Sequence, residues 1–131
     1  MSDGAARALV AGHADFAAGM ISAVEQITGQ GAALVPIQVR DLCSDDIQRV
    51  LYDTMMKTGA RVIFTDLQAG SCTMAARRVL RELGAGVLVA GTNLPMLLDF
   101  ALSTNANAAE AATSAAERGR VAVTVHTGSP A

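Results

Sequence analysis

Four short apolar runs, each stopped by a glycine or a polar residue, constrain this chain more than any other feature. They are "RALVAG" at 7–12, "AALVPIQV" at 32–39, "RVIFTD" at 61–66 and "GVLVAG" at 86–91. Their hydrophobicity is continuous rather than alternating, as in strands buried on both faces of a parallel sheet. Between them Phe16, Met20, Ile21, Val24 and Ile27 recur at helical spacing. Ile47, Val50, Leu51 and Met55 do the same, and then Met74, Val79 and Leu83. A chain that alternates β and α in this way predicts a doubly wound open sheet. Asp15 reads as the N-cap of the first helix and Ser44, ahead of Asp45 and Asp46, as the N-cap of the second. Gly29, Gly59 and Gly84 read as helix stops. After "TNLPMLLDFALS" an Ala-rich helix is expected from about Ala106 to Arg118. The β-branched run "RVAVTVHT" that follows reads as a fifth strand.

Length and composition narrow the function classes. The chain has 131 residues, 51% of them hydrophobic, enough for one domain over 1–131 with 127–131 as a short C-terminal tail. Size scaling has such a domain bury roughly two-thirds of its unfolded surface. With three Phe, one Tyr and no Trp, the core must come from Ala, Val, Leu, Ile and Met. Stacking platforms for bases are missing, and a formal charge of −2 further disfavours a nucleic-acid partner. No apolar run approaches the ~20 residues of a membrane span, and the N-terminus lacks a secretory pattern. A cytoplasmic protein without direct membrane insertion is expected. Cys43 and Cys72 have no metal-ligand spacing and read as reduced thiols. Neither a metal nor a cofactor is called for. The first strand is not followed by G-x-G-x-x-G, a G-x-x-x-x-G-K-[ST] loop is absent, and few aromatics could sandwich a flavin.

In an open parallel sheet, ligands bind beyond the carboxyl ends of the strands, where the winding order reverses. His13 directly follows the first run and Asp66 closes the third. In a flavodoxin-like strand order of 2-1-3-4 those two strands are neighbours at the reversal, so the side chains can meet. A carboxylate that accepts from one imidazole nitrogen fixes the tautomer and leaves the other nitrogen as a nucleophile. Beyond Asp66, "LQAGSCTMAARRVL" runs a turn through Gly70 and Ser71 into a helix. Its first amides, at Ser71 and Cys72, and its positive dipole end suit an anion. Nucleophile, orienting carboxylate and anion cradle together point to phosphoryl transfer onto histidine.

Three motifs, in order and at matching spacing, resemble the IIA component of the mannose family of the bacterial phosphoenolpyruvate-dependent sugar phosphotransferase system. "GHADFAAGM" resembles the stretch around the phosphorylated histidine, and "TDLQAGSCTMAA" resembles the Asp-Leu-x-Gly-Gly-Ser-Pro loop. "VAGTNLPMLL" resembles the Gly-x-Asn-Leu-Pro-Met segment, and the similarity covers about residues 7–126. The resemblance implies that His13 accepts phosphate from the phosphocarrier HPr and passes it to a IIB component for sugar uptake. Asp66 would bond to the imidazole, Ser71 would lie near the phosphate, and a IIC/IID permease would be an associated partner. It also implies a homodimer in which "RVAVTVHT" crosses to the partner's sheet as an antiparallel edge strand. Ala14, Ala69, Cys72, Thr73 and Met74 depart from the family pattern. Ala69 stands where glycine is usual, and Thr73 with Met74 would alter the rim that a partner touches.

Other roles stand beside these. Asp66 and Ser71 are both good capping residues. Cys72 adjoins the anion site at a helix N-terminus, a place that can lower a thiol's pKa, yet a catalytic thiol would want a base in reach. Asn93 and Pro95 suit a turn or the border of the cleft. Met20, Met74 and Met96 suit either core filling or a docking rim. Arg77 and Arg78 read as a solvated face, and His126 as structural. A regulatory phosphocarrier uncoupled from transport, or a non-catalytic small-ligand domain on the same fold, are the alternative functions.

Overall fold

A computed structural model describes residues 5–129. Strands β1 (Ala8–Ala11), β2 (Leu34–Ile37), β3 (Val62–Thr65) and β4 (Val87–Val89) form one parallel sheet in the order 2-1-3-4. Ala8 pairs with Leu34 on one side and Val62 on the other, and Val62 pairs with Val87. The helices are α1 (Phe16–Thr28), α2 (Ser44–Thr58), α3 (Ser71–Leu83), α4 (Leu94–Leu102) and α5 (Ala108–Val121).

The continuous apolar runs follow from burial on both faces. Ala8 and Val10 of β1, with Val62 and Phe64 of β3, pack under α1, α4 and α5. Leu9, Ala11 and Ile63 pack on the opposite face against α2 and α3. Few core residues are aromatic, so an edge-on pair of Phe64 and Phe100, 5.2 Å between centroids, supplies much of the bulk under α4. Gly29, Gly59 and Gly84 end α1, α2 and α3 in the left-handed conformation, as their positions predict.

The caps differ in detail. Asp15 occupies the N-cap position of α1, but its side chain makes no cap hydrogen bond and pairs instead with Arg40 at 3.0 Å. Ser44 is the first residue of α2 rather than its cap. Cys43 takes the cap position, and its thiol donates to Asp46 Oδ2 at 3.3 Å.

The fifth strand is not formed in the isolated chain. Helix α5 continues through Arg120 to Val121, and residues 123–127 belong to no strand. Val123 and Val125 stand 68% and 86% exposed. The outer edge of β4 is unpaired among the described residues, so this sheet offers a free ladder while the tail offers free β-branched side chains. No helix among the described residues is long and apolar enough to cross a membrane.

Candidate functional site

The β1 and β3 ladder puts the ends of both strands at the same height, since Ala11 pairs with Thr65. One step beyond each lies Gly12 and Asp66, and one further lies His13. Asp66 Oδ2 accepts two hydrogen bonds from the same residue. One comes from the His13 backbone N–H and the other from its imidazole Nδ1, each at 2.8 Å. The carboxylate thus fixes both the main chain and the ring, and it leaves Nε2 turned away. The imidazole is open to solvent, with its side chain 62% exposed, while that of Asp66 is 14% exposed. Burial alone would push the Asp66 carboxyl up. The bonds it accepts from the His13 backbone and ring outweigh this, and its pKa lies below the usual carboxylate value.

Gly12 makes this approach possible. A β-carbon there would sit 2.9 Å from Asp66 Cγ and Oδ2 and 2.6 Å from the Phe16 ring. The chain then turns through Ala14, which holds a φ of 48°. A left-handed alanine costs on the order of 1–2 kcal/mol, which is the physical content of a side chain standing where the family commonly has glycine.

The third run continues into the loop expected to hold an anion. Gly70 has φ 127° and ψ 171°, a region open essentially to glycine alone, and caps α3. A β-carbon at Gly70 would lie 3.7 Å from His13 Cε1, so the loop passes directly beside the imidazole. The first helical bond of α3 runs from the Met74 N–H to the Gly70 carbonyl. The amides of Ser71, Cys72 and Thr73 therefore precede the helical ladder, at the positive end of the helix dipole. Ser71 is exposed beside them. Ala69 needs no glycine, because positive φ among the described non-glycine residues occurs only at Ala14 and Asp41.

Two expectations for this loop are overturned. Burial pushes the Cys72 thiol up, and the nearby Asp66 charge adds to that, so the helix terminus does not lower its pKa. Cys72 can offer only its backbone N–H to an anion. Thr73 is 1% exposed and is not on the rim. Its hydroxyl donates to the Leu67 carbonyl at 2.6 Å, and since it has one proton the Thr65 hydroxyl donates to it at 2.7 Å. This buried chain pins the Asp66–Leu67 segment to the end of β3. Met74 and Leu67 are the large apolar side chains that the loop exposes.

Of the methionines expected on a rim, Met96 is buried and Met20 half-buried. Asn93 caps α4 by accepting the Met96 N–H at 3.2 Å. Its Nδ2 also donates to the Gly119 carbonyl at 3.0 Å, tying the end of α5 to the end of β4. Arg77 and Arg78 are solvated as expected, and His126 stands exposed in the tail. The roles of Gly12, Thr65 and Gly119 were not read from the sequence. The glycine immediately ahead of the histidine was the only signal for the first, and nothing local signals the others. No cluster of His, Cys, Asp or Glu among the described residues could hold a metal ion.

A family model described as "PTS system fructose IIA component" matches residues 7–117. No curated protein matches. Among solved structures, the mannose/sorbose-specific IIA subunit of the phosphotransferase system from Enterococcus faecalis is 22% identical. It aligns over 93% of this chain and 95% of its own, with a TM-score of 0.79. The phosphotransferase component EIIA from Streptococcus agalactiae is 19% identical over 91% of this chain and 95% of its own, TM-score 0.82. The IIA protein associated with the fucose utilization operon of Streptococcus pneumoniae is 19% identical over 91% of each chain, TM-score 0.72. At such identities these likenesses carry the fold.

Proposed function

Since the chain belongs to the family of phosphotransferase-system (PTS) fructose IIA components, we propose that it is a phosphohistidine carrier that takes a phosphoryl group on His13 Nε2. The observation that carries this reading is the pair of bonds from His13 to one oxygen of Asp66. With Nδ1 donating its proton to the carboxylate, Nε2 keeps its lone pair for phosphorus. In the transfer, Nε2 forms the new N–P bond, the donor's bond to phosphorus breaks, and that electron pair leaves with the donor. Positive charge that develops on the imidazole is met by Asp66, which is ionised at neutral pH. Negative charge on the phosphoryl oxygens is met by the amides of Ser71 and Cys72, the Ser71 hydroxyl and the dipole of α3, with Gly70 leaving room for the group. Positioning and charge stabilisation supply the catalysis.

The donor is HPr and the acceptor a IIB component, in the cytoplasm and for sugar uptake through a membrane permease. Leu67 and Met74 give the docking partner an apolar rim beside the imidazole. Residues 123–127 complete the free edge of β4 in a second copy, making a homodimer. The chain is a single IIA domain.

Incubation with phosphoenolpyruvate, enzyme I and HPr, followed by intact mass, tests the carrier. One acid-labile phosphoryl group of about 80 Da, of the kind that adds up to two negative charges, is expected on the chain. None is expected on His13→Ala. Phosphorylation of His13→Ala would move the acceptor elsewhere.

A further inference from the structure

We propose that the rim of the sheet opposite His13 carries a second anion site, built on Arg7 and Arg61 and suited to a small phosphate monoester. Both arginines stand one residue ahead of paired strand positions, Ala8 on β1 and Val62 on β3. They therefore begin neighbouring strands, whose spacing is roughly 4.8 Å. Both line one cavity of about 280 Å³, together with Ala60, Phe100, Asn105 and Ala106 among others.

Each guanidinium is held in place through one nitrogen. Arg7 Nη1 donates to the Phe100 carbonyl at 3.0 Å, and the group lies over the Phe100 ring, 4.5 Å from its centroid. Arg61 Nη1 donates to the Met55 carbonyl at 3.2 Å and the Ala60 carbonyl at 2.9 Å. The Phe100 and Met55 carbonyls lie near the C-terminal ends of α4 and α2 and offset part of the positive charge. Among the described residues neither fork makes a further hydrogen bond.

Charge pairing sets these two residues apart from the other basic side chains. Arg40, Arg49, Arg78, Arg118 and Arg120 each lie within 4.0 Å of a carboxylate and are exposed. Lys57, Arg77 and Arg81 have no ion pair among the described residues, but they too are exposed to water. Arg7 and Arg61 alone of the basic side chains are half-buried, and neither has an ion pair among the described residues. No acidic side chain lines the cavity among the described residues. Glu110, the carboxylate nearest in the hydrogen-bond network, is engaged by Asn105 Nδ2 at 3.0 Å. Both positive residues line one partly desolvated cleft with no carboxylate of the described residues in its lining, and a dianion bound there would meet both. A phosphate monoester carries about −1.5 to −2 charge at neutral pH and presents the oxygens that planar guanidinium forks engage in pairs. The alanines and Phe100 would receive the short carbon part of such a ligand.

Amide chemical shifts of the full chain, titrated with glycerol 3-phosphate at constant ionic strength, test the site. Saturable shifts are expected at Arg7, Arg61 and Ala106. Arg61→Gln should weaken binding by roughly tenfold or more, as expected for loss of a charge-assisted fork. Ala106→Asp should do the same by placing a carboxylate on the exposed rim while leaving both arginines and the packing untouched. His13→Ala should leave this affinity unchanged, which separates it from anion binding at the imidazole. Shifts that fail to saturate, that chloride reproduces, or that survive in Arg61→Gln and Ala106→Asp would overturn the proposal. Equal binding of succinate would overturn the phosphate class.

Discussion

At the scale of single residues, the proposed chemistry needs a carboxylate that cannot be exchanged for its amide. Asp66→Asn keeps the shape but can donate to Nδ1 and hold the wrong tautomer. Transfer from phospho-HPr should fall by two orders of magnitude or more, against the ~10⁴ lost when an amide misorients a catalytic imidazole. Stopped-flow transfer rates check this, and an unchanged rate would reduce Asp66 to a structural cap. The same substitution has a signature in stability. The folded-state pKa of Asp66 is lowered, so its contribution is fully present above the ordinary aspartate value of about 3.9 and is lost as pH falls through the lower folded value. Acid unfolding of the wild-type chain should therefore carry a slope that Asp66→Asn lacks. Gly12→Ala should act through crowding. Its β-carbon meets the Asp66 carboxyl at 2.9 Å, and a cost of about 1–3 kcal/mol is expected for such overpacking, with transfer lost as the carboxylate is displaced. Thermal melts together with the phosphorylation assay would show both effects.

At the scale of elements, the sheet was legible because each strand is short, apolar throughout and bounded by glycine or a polar residue. Burial on two faces leaves that mark in the sequence without help from distant residues. His13 and Asp66 were legible for a related reason, since both sit one or two residues past a strand whose neighbour the winding order determines. What stayed hidden depends on tertiary approach. Thr73 looks like a rim residue in its local context, and only the fold turns its hydroxyl inward to Leu67 and Thr65. The end of α5 is the other case. "RGRV" reads as the start of a β-branched run, yet small residues Ala111, Ala112, Ala115 and Gly119 bury one face and carry the helix on to Val121. At Gly119 α5 packs tightly on the start of α4, because an added β-carbon would lie 2.1 Å from Met96 Cγ and 2.8 Å from Asn93 Oδ1. Gly119→Ala should therefore cost about 1–3 kcal/mol as Met96 and the Asn93 cap give way. Chemical denaturation would measure it, and a neutral result would mean the methionine moves aside freely.

At the scale of the whole molecule, the proposed dimer would join the exposed tail to the free edge of β4. A chain with Val123 and Val125 in solvent and an unpaired ladder on its sheet invites exchange with a second copy. Light scattering of the full chain should give a dimer at micromolar concentration, and truncation after Ala122, which spares the Asn93 contact to Gly119, should give a monomer or aggregates. A full-length monomer would refute the exchange while leaving the histidine chemistry intact. The two hydrogen bonds from His13 to one Asp66 oxygen carry a different kind of consequence. The imidazole's place is measured from the ladder between β1 and β3 and not from its own side-chain torsions. Extra residues in the loops after α1, α2 or α3 need not disturb it. A single residue inserted between Ala8 and His13, or between Val62 and Asp66, would slide the ring off its carboxylate, so chain length in those two short segments is as much a part of the site as the residues themselves.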